Sequence, residues 1–239
     1  TMKQNLDLSC FKNNDIRGII GEQIDERLAY LLGIAFGEYV LAKASKTSFD
    51  GLAQVVIGRD NRETSLPLQK AMTKGLIESG INVVALGMTG TEEVYFATRH
   101  LQAIGGVQIT ASHNPINYNG MKLVGLHANP ISKNKGLDVI KQHIEVLEHE
   151  RFSEQPISHE QADNFIRTTS ILAPYVDHLL SYIQPSKLSP MKIVVNAGNG
   201  VAGHVIDALE TKFNELNAPI TFIKVHHTPD GMFPNGIPN

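Results

Sequence analysis

Apolar side chains recur about every four positions between residues 24 and 45, where Ile24, Leu28, Leu31, Ala35 and Tyr39 share one side. That spacing predicts an amphipathic helix. The run AQVVIGRD at 53–60 is short, β-branched and polar at its end, so it reads as a buried strand. Helical spacing returns at 65–79, with Ser65 as a candidate N-cap and Pro67 in the first turn. INVVALG at 81–87 is a second strand, and the helix after it begins in TGTEEVYFATRHL, with Thr89 and Glu92 at capping-box spacing. IGGVQIT at 104–110 and GMKLVG at 120–125 are further strands, and 135–150 is a last amphipathic helix. Strand and helix alternate, which predicts an α/β fold: a mainly parallel mixed sheet with helices on both faces.

The polar stretch RFSEQPISHEQADN at 151–164 has no period and breaks this pattern. It is read as a domain boundary, giving one domain over 1–157 and a second, similar one over 158–239 that is incomplete at its C-terminal end. In the second, helical spacing over 169–183 is followed by the strand MKIVVNAG, a helix over 200–213 and the strand ITFIKVHH.

Composition narrows the function. The chain has 239 residues, 42% hydrophobic and 19% charged, with a net charge of −3. The single cysteine, Cys10, allows no intramolecular disulfide and reads as a packing residue, which suits a reducing cytoplasm. No apolar run approaches the ~20 residues of a membrane span. The slight negative charge argues against a nucleic-acid partner, which wants a basic face. Oligomeric state has no signature here. Any anion must therefore be met by a few local cations and backbone amides.

The stretch TASHNP at 110–115 is placed to do that, because ligands of open α/β sheets bind beyond the carboxyl ends of the strands. Pro115 keeps Asn114 out of helical torsions. Ser112 and His113 are adjacent, so their side chains are expected to diverge, and the G-x-S-x-G elbow of a serine hydrolase is absent. Phosphoryl chemistry fits better. A serine can carry a phosphoryl group of about −1.5 to −2 charge. Lys122 lies ten residues on, past INYNG, where Gly120 permits unusual torsions and can bring the lysine near Ser112 at the start of a strand. A partly desolvated lysine can act as a base; the other reading is a polar loop with an exposed lysine. Arg17 in NDIRG and Arg59 in GRDNR suit bidentate phosphate recognition, or each is a surface ion pair, as between Arg59 and Asp60 or Glu63. His226 and His227 have no partners at ligand spacing and read as a strand end. NAGNG at 196–200 resembles a phosphate-cradling turn, or shapes a strand-to-helix turn.

Together NDIRG, GRDNR, GMTGTEEVYFA, TASHNP, YNGMKL, NAGNG and PDGMFPNGIPN stand in the order found in the α-D-phosphohexomutases, and the chain resembles that family over almost its whole length. GMTGTEE and ASHNPINYNGMK are most similar to its bacterial phosphomannomutase branch. The resemblance implies interconversion of mannose 6-phosphate and mannose 1-phosphate, feeding GDP-mannose synthesis, through a phosphoserine at Ser112 and a bound hexose 1,6-bisphosphate. It implies Lys122 as general base, His113 as helper, Arg17 as the charge-stabilising cation, and Asn114 and Arg59 as phosphate-binding residues. It further implies Mg²⁺ on the phosphate of Ser112. Phosphoglucomutase, phosphoglucosamine mutase and a non-catalytic sugar-phosphate binding module remain alternatives. Asn14 stands where the family often has tyrosine, and the family's aspartate-rich metal loop and sugar-recognition loop are not in the chain. A fragment of a longer enzyme, inactive alone, is therefore expected.

Overall fold

A computed structural model describes residues 5–150 and 159–238. The first unit contains β1 (Ile16–Ile19), α1 (Glu26–Ala44), β2 (Gln54–Arg59), α2 (Ser65–Glu78), β3 (Asn82–Met88), α3 (Thr91–His100), β4 (Gly105–Ile109), β5 (Tyr118–Val124) and α4 (Leu137–Glu150). After residue 158 come α5 (His159–Asp163), β6 (Ile166–Thr168), α6 (Leu172–Leu180), β7 (Met191–Asn196), α7 (Gly203–Glu215) and β8 (Ile220–Val225).

A six-stranded sheet has the order β1-β5-β4-β2-β3-β6. Pairing is parallel from β4 through β2 and β3 to β6 and antiparallel where β5 joins β4 and β1, so the sheet is mixed and mostly parallel. Period-two alternation sorts its side chains. Val55, Ile57, Val83, Val107, Ile109, Met121 and Leu123 join α1, α2 and α4 in the main core. Val56, Val84 and Leu86 turn to the opposite face and pack with Val94 and Ala97 of α3. Helices thus cover both faces, which is why the central strands read as continuous apolar runs. Helices α1 and α2 approach backbone to backbone at Gly33 and Gly75, where a Cβ would lie 2.3 Å from the Met72 carbonyl oxygen and 2.0 Å from that of Tyr30.

The boundary between 157 and 158 lies outside the described residues. Residues 166–168, grouped by sequence with the second unit, form the edge strand of the first sheet, with Val83 opposite Ile166. The second unit pairs β7 with β8 in parallel, over a small core of Phe213, Ala218 and Ile220. Two capping assignments shift by one residue. Thr64, not Ser65, occupies the N-cap position of α2, and the Ser65 hydroxyl donates to Asp60 Oδ1 at 2.5 Å. Gly90 precedes α3, and the Gly90 amide donates to Glu93 Oε2 at 2.5 Å. The Thr89 hydroxyl donates instead to Gln108 Oε1 at 2.8 Å.

Candidate functional site

Antiparallel β4 and β5 are joined by the loop 110–117, which therefore stands at the carboxyl end of the parallel strands. Ser112 sits exposed in it with φ +55°, a left-handed torsion uncommon for a residue with a Cβ. The surrounding structure fixes that torsion. The Ser112 amide donates to Thr110 Oγ1 at 3.0 Å, and the Thr110 hydroxyl donates to Asp60 Oδ2 at 2.8 Å. The Asn114 amide closes a turn onto the Ala111 carbonyl at 3.1 Å. Ser112 Oγ lies 3.4 Å from His113 Nδ1, so the two side chains face one another at long range rather than diverge.

Strands β1 and β5 supply the cations, Arg17 and Lys122. Register puts Arg17 opposite Gly120 of β5. Arg17 Nη1 donates to Asn114 Oδ1 at 2.9 Å, tying the strand to the serine loop across 97 residues of sequence. Asp15, 5% exposed, accepts Arg17 Nε at 3.0 Å on one oxygen and faces Lys122 Nζ at 3.5 Å with the other. Lys122 lies between core residues Met121 and Leu123 on β5, so its side chain leaves the opposite face of the sheet. One buried carboxylate thus holds two cations, leaving a local charge of +1 beside the loop.

The structure corrects two details of this region. Lys122 stands well inside β5, not at its start. Gly120 has no left-handed torsion; glycine is needed because an added Cβ would lie 1.9 Å from the Ile16 carbonyl oxygen. Ser112, His113, Asn114, Arg17 and Lys122 are brought together. Arg59 is not brought onto the loop: its guanidinium donates to Gln69 Oε1 at 3.3 Å, and burial lowers its pKa.

Sequence reasoning missed Asp15 and Arg62. Asp15 was legible as the acidic neighbour of Arg17 in NDIRG. Arg62, the second arginine of GRDNR, is 4% exposed. Its Nη1 donates to the carbonyls of Pro115 and Tyr118 at 2.8 and 3.2 Å, and its Nη2 to those of Asn114 and Ser112 at 2.7 and 3.2 Å. Its Nε faces Asp60 Oδ2 at 3.4 Å. Burial lowers the Arg62 pKa, and the Asp60 carboxylate opposes that shift. On α3, burial first and then the carboxylates of Glu92 and Asp15 push the Tyr95 hydroxyl up, so it stays neutral.

A cleft of about 450 Å³ opens beside His113, walled by Pro115, Ile116, Met232, Phe233 and Ile237. A larger cleft, about 820 Å³, lies between α3 and α6; none of the site residues named from the sequence lines it. NAGNG forms the turn from β7 toward α7, with Asn199 at φ +58°. His227 Nε2 pairs with Asp207 Oδ1 at 2.8 Å. Cys10 is fully buried, which pushes its thiol up to about 12. No helix among the described residues is long and apolar enough to cross a membrane.

Fold and site define an α/β/α protein that presents a serine and two cations at the carboxyl edge of a mixed sheet. Residues 9–151 match the family model "Phosphoglucomutase/phosphomannomutase, alpha/beta/alpha domain I", and residues 173–239 match the corresponding domain II. The chain belongs to the phosphoglucomutase/phosphomannomutase family. It is 48% identical to a phosphomannomutase of Vibrio cholerae over 98% of its own length and 48% of that protein's. It is 42% identical to a protein named phosphohexose mutases of Xanthomonas campestris, over 97% of this chain and 47% of that one. A solved phosphoglucomutase/phosphomannomutase family protein of Burkholderia thailandensis superposes with a TM-score of 0.77 at 31% identity, covering 98% of this chain and 47% of that chain. The chain spans about half the length of the curated relatives it matches.

Proposed function

We propose that this chain carries the phosphoryl-transfer residues of a phosphomannomutase, with Ser112 as the phosphoryl carrier. One observation carries the reading: an exposed serine in a left-handed torsion, on a loop bonded to Arg17 and flanked by a lysine that shares its carboxylate. A serine ester of phosphate at that tip would project its charge toward two cations.

In the proposed cycle, a hydroxyl of the hexose monophosphate attacks phosphorus, and the bond to Ser112 Oγ breaks. Lys122, having first given up its own proton, takes the hydroxyl proton, and the freed Ser112 Oγ takes one up in turn. Arg17 offsets charge on the transferring oxygens, and Asn114 is fixed by Arg17 to present its amide there. The hexose 1,6-bisphosphate then turns end for end and returns its other phosphoryl group to Ser112. In-line transfer of this kind depends on positioning and charge offset, which rigid strands supply. Mannose phosphate as substrate rests on the relatives' names, and the complete reaction is proposed for the full-length protein. Among the described residues no three His, Cys, Asp or Glu side chains cluster as a metal cage. The described residues alone therefore do not fit Mg²⁺.

The test uses Ser112→Ala and Lys122→Ala in the full-length protein. Ser112→Ala should abolish turnover of mannose 1-phosphate in a coupled assay and leave no phosphopeptide at this position after treatment with the bisphosphate. Lys122→Ala should stay phosphorylatable yet turn over about 10²–10⁴-fold slower. Near-normal turnover by Ser112→Ala would end the phosphoserine reading. A fast Lys122→Ala enzyme would move the base to His113.

A further inference from the structure

The serine loop contains little regular backbone hydrogen bonding of its own, and a charged residue from another segment stands where such bonds would be. We infer that Arg62 is the positioning residue of the serine loop, and that the second unit braces it through Phe233 and Asn199. The inference rests on the proposed role of Ser112 and adds to it.

Three observations converge. Arg62 spends four of its five N–H groups on the carbonyls of residues 112, 114, 115 and 118, which spaces these carbonyls around one rigid fork. Lysine could not do this, because a single ammonium cannot reach four divergent acceptors. Second, the outer face of the guanidinium is covered by the Phe233 ring at 5.9 Å. Phe233 itself holds φ +48°, a left-handed torsion that a bulky residue adopts only when its surroundings impose it. Third, the neighbouring residue is tied to the same unit. Asn61 Nδ2 donates to the Asn199 carbonyl at 2.8 Å, and that carbonyl also accepts the Asp230 amide at 2.8 Å. Asn235 Nδ2 bonds Asn199 Oδ1 at 3.0 Å, which closes the segment on itself. The path from the second unit to Ser112 is therefore contiguous: segment 228–236, then Asn61 and Arg62, then the loop carbonyls. Within the serine loop Arg62 bonds backbone carbonyls alone, so it sets where Ser112 stands without entering the chemistry.

The experiment compares Arg62→Lys, Arg62→Ala and Phe233→Ala with the parent in the full-length protein, with Ser112→Ala alongside. Arg62→Lys should lower kcat about 10²-fold with KM for the hexose phosphate nearly unchanged, the cost of a carrier displaced by about 1 Å. Phe233→Ala should lower kcat about 2–5-fold, the loss of one cation–π contact near the ~6 Å limit of such contacts. Low concentrations of guanidinium should restore part of the activity of Arg62→Ala, as a merely structural defect would not. The ³¹P resonance of phosphorylated Ser112 should move toward that of free phosphoserine in Arg62→Lys. Native kcat in Arg62→Lys would overturn the inference, as would a fall confined to melting temperature with an unmoved resonance. If Arg62→Ala does not fold, the lysine and Phe233 variants decide. Full activity in Ser112→Ala would instead sink the phosphoserine reading, so the two failures are separable.

Discussion

Replacing Gly120 with alanine would set a methyl group 1.9 Å from the Ile16 carbonyl oxygen, 2.9 Å from its carbon and 3.0 Å from Arg17 Cα. All three neighbours are backbone, so no side chain can swing away. Ordinary C···O contacts lie near 3.3–3.6 Å, so β1 must retreat by roughly 1.4 Å. As an edge strand of four residues it can retreat, at the expense of its ladder with β5. Overpacking of this kind costs about 1–3 kcal/mol. For a domain of this size that is a melting-temperature loss of about 2–12 °C. Arg17 sits opposite Gly120 and moves with β1, so turnover should fall about 10²-fold. The control is Gly80→Ala, at the turn after α2, where φ is +97° and nothing lies within 4 Å of an added Cβ. It should cost about 1–2 kcal/mol through the left-handed torsion and leave turnover intact. Differential scanning fluorimetry and the coupled mutase assay, both on the full-length protein, read the two effects. If Gly120→Ala melts like the parent, or loses no more activity than Gly80→Ala, close strand approach is not what requires glycine there.

Two further outcomes follow from the cations and from the contact between units. Arg17→Lys should lower kcat/KM more than Arg59→Lys, because Arg17 bridges Asp15 and the serine loop while Arg59 bonds Gln69; the reverse order in steady-state assays would reassign the charge-stabilising arginine. His204 Nε2 on α7 meets the buried Glu93 Oε1 on α3 at 2.8 Å, and that bond is the main cause of its raised pKa. A pKa raised on folding stabilises fully below the unfolded value of about 6.5 and is lost as pH rises through the folded value. Melting curves should therefore show a smaller loss between about pH 6 and pH 8.5 in His204→Gln than in the parent, and an equal loss would exclude the pair as the cause.

The central strands and long helices were legible because their periodicity is local: AQVVIGRD and INVVALG announce buried strands whatever surrounds them. Strand β1 was not. IRGI contains an arginine and a glycine, and it is a strand only because β5, about 100 residues later, pairs with it. β6 escaped for the same reason, being three residues long and held by β3. At the site, the serine loop stood out through its own unusual order of residues. Arg62 did not, since a second arginine in a polar turn looks solvated until a distant loop folds over it. Gly120 was read as a torsional residue because sequence shows a glycine's freedom, while the neighbouring backbone that excludes a side chain comes from another strand.

Because Arg62 grips carbonyl oxygens, which every amino acid possesses, the shape of the serine loop is largely uncoupled from the identity of the side chains it displays. His113 and Ile116 project from a frame that does not consult them. Variation at such positions can alter what the cleft beside His113 admits while Ser112 stays in place. The same separation makes the tip a practical target for randomised libraries: diversity at 113, 116 and 117 can be screened for new ligand preference with the backbone held by Arg62, Thr110 and Asp60.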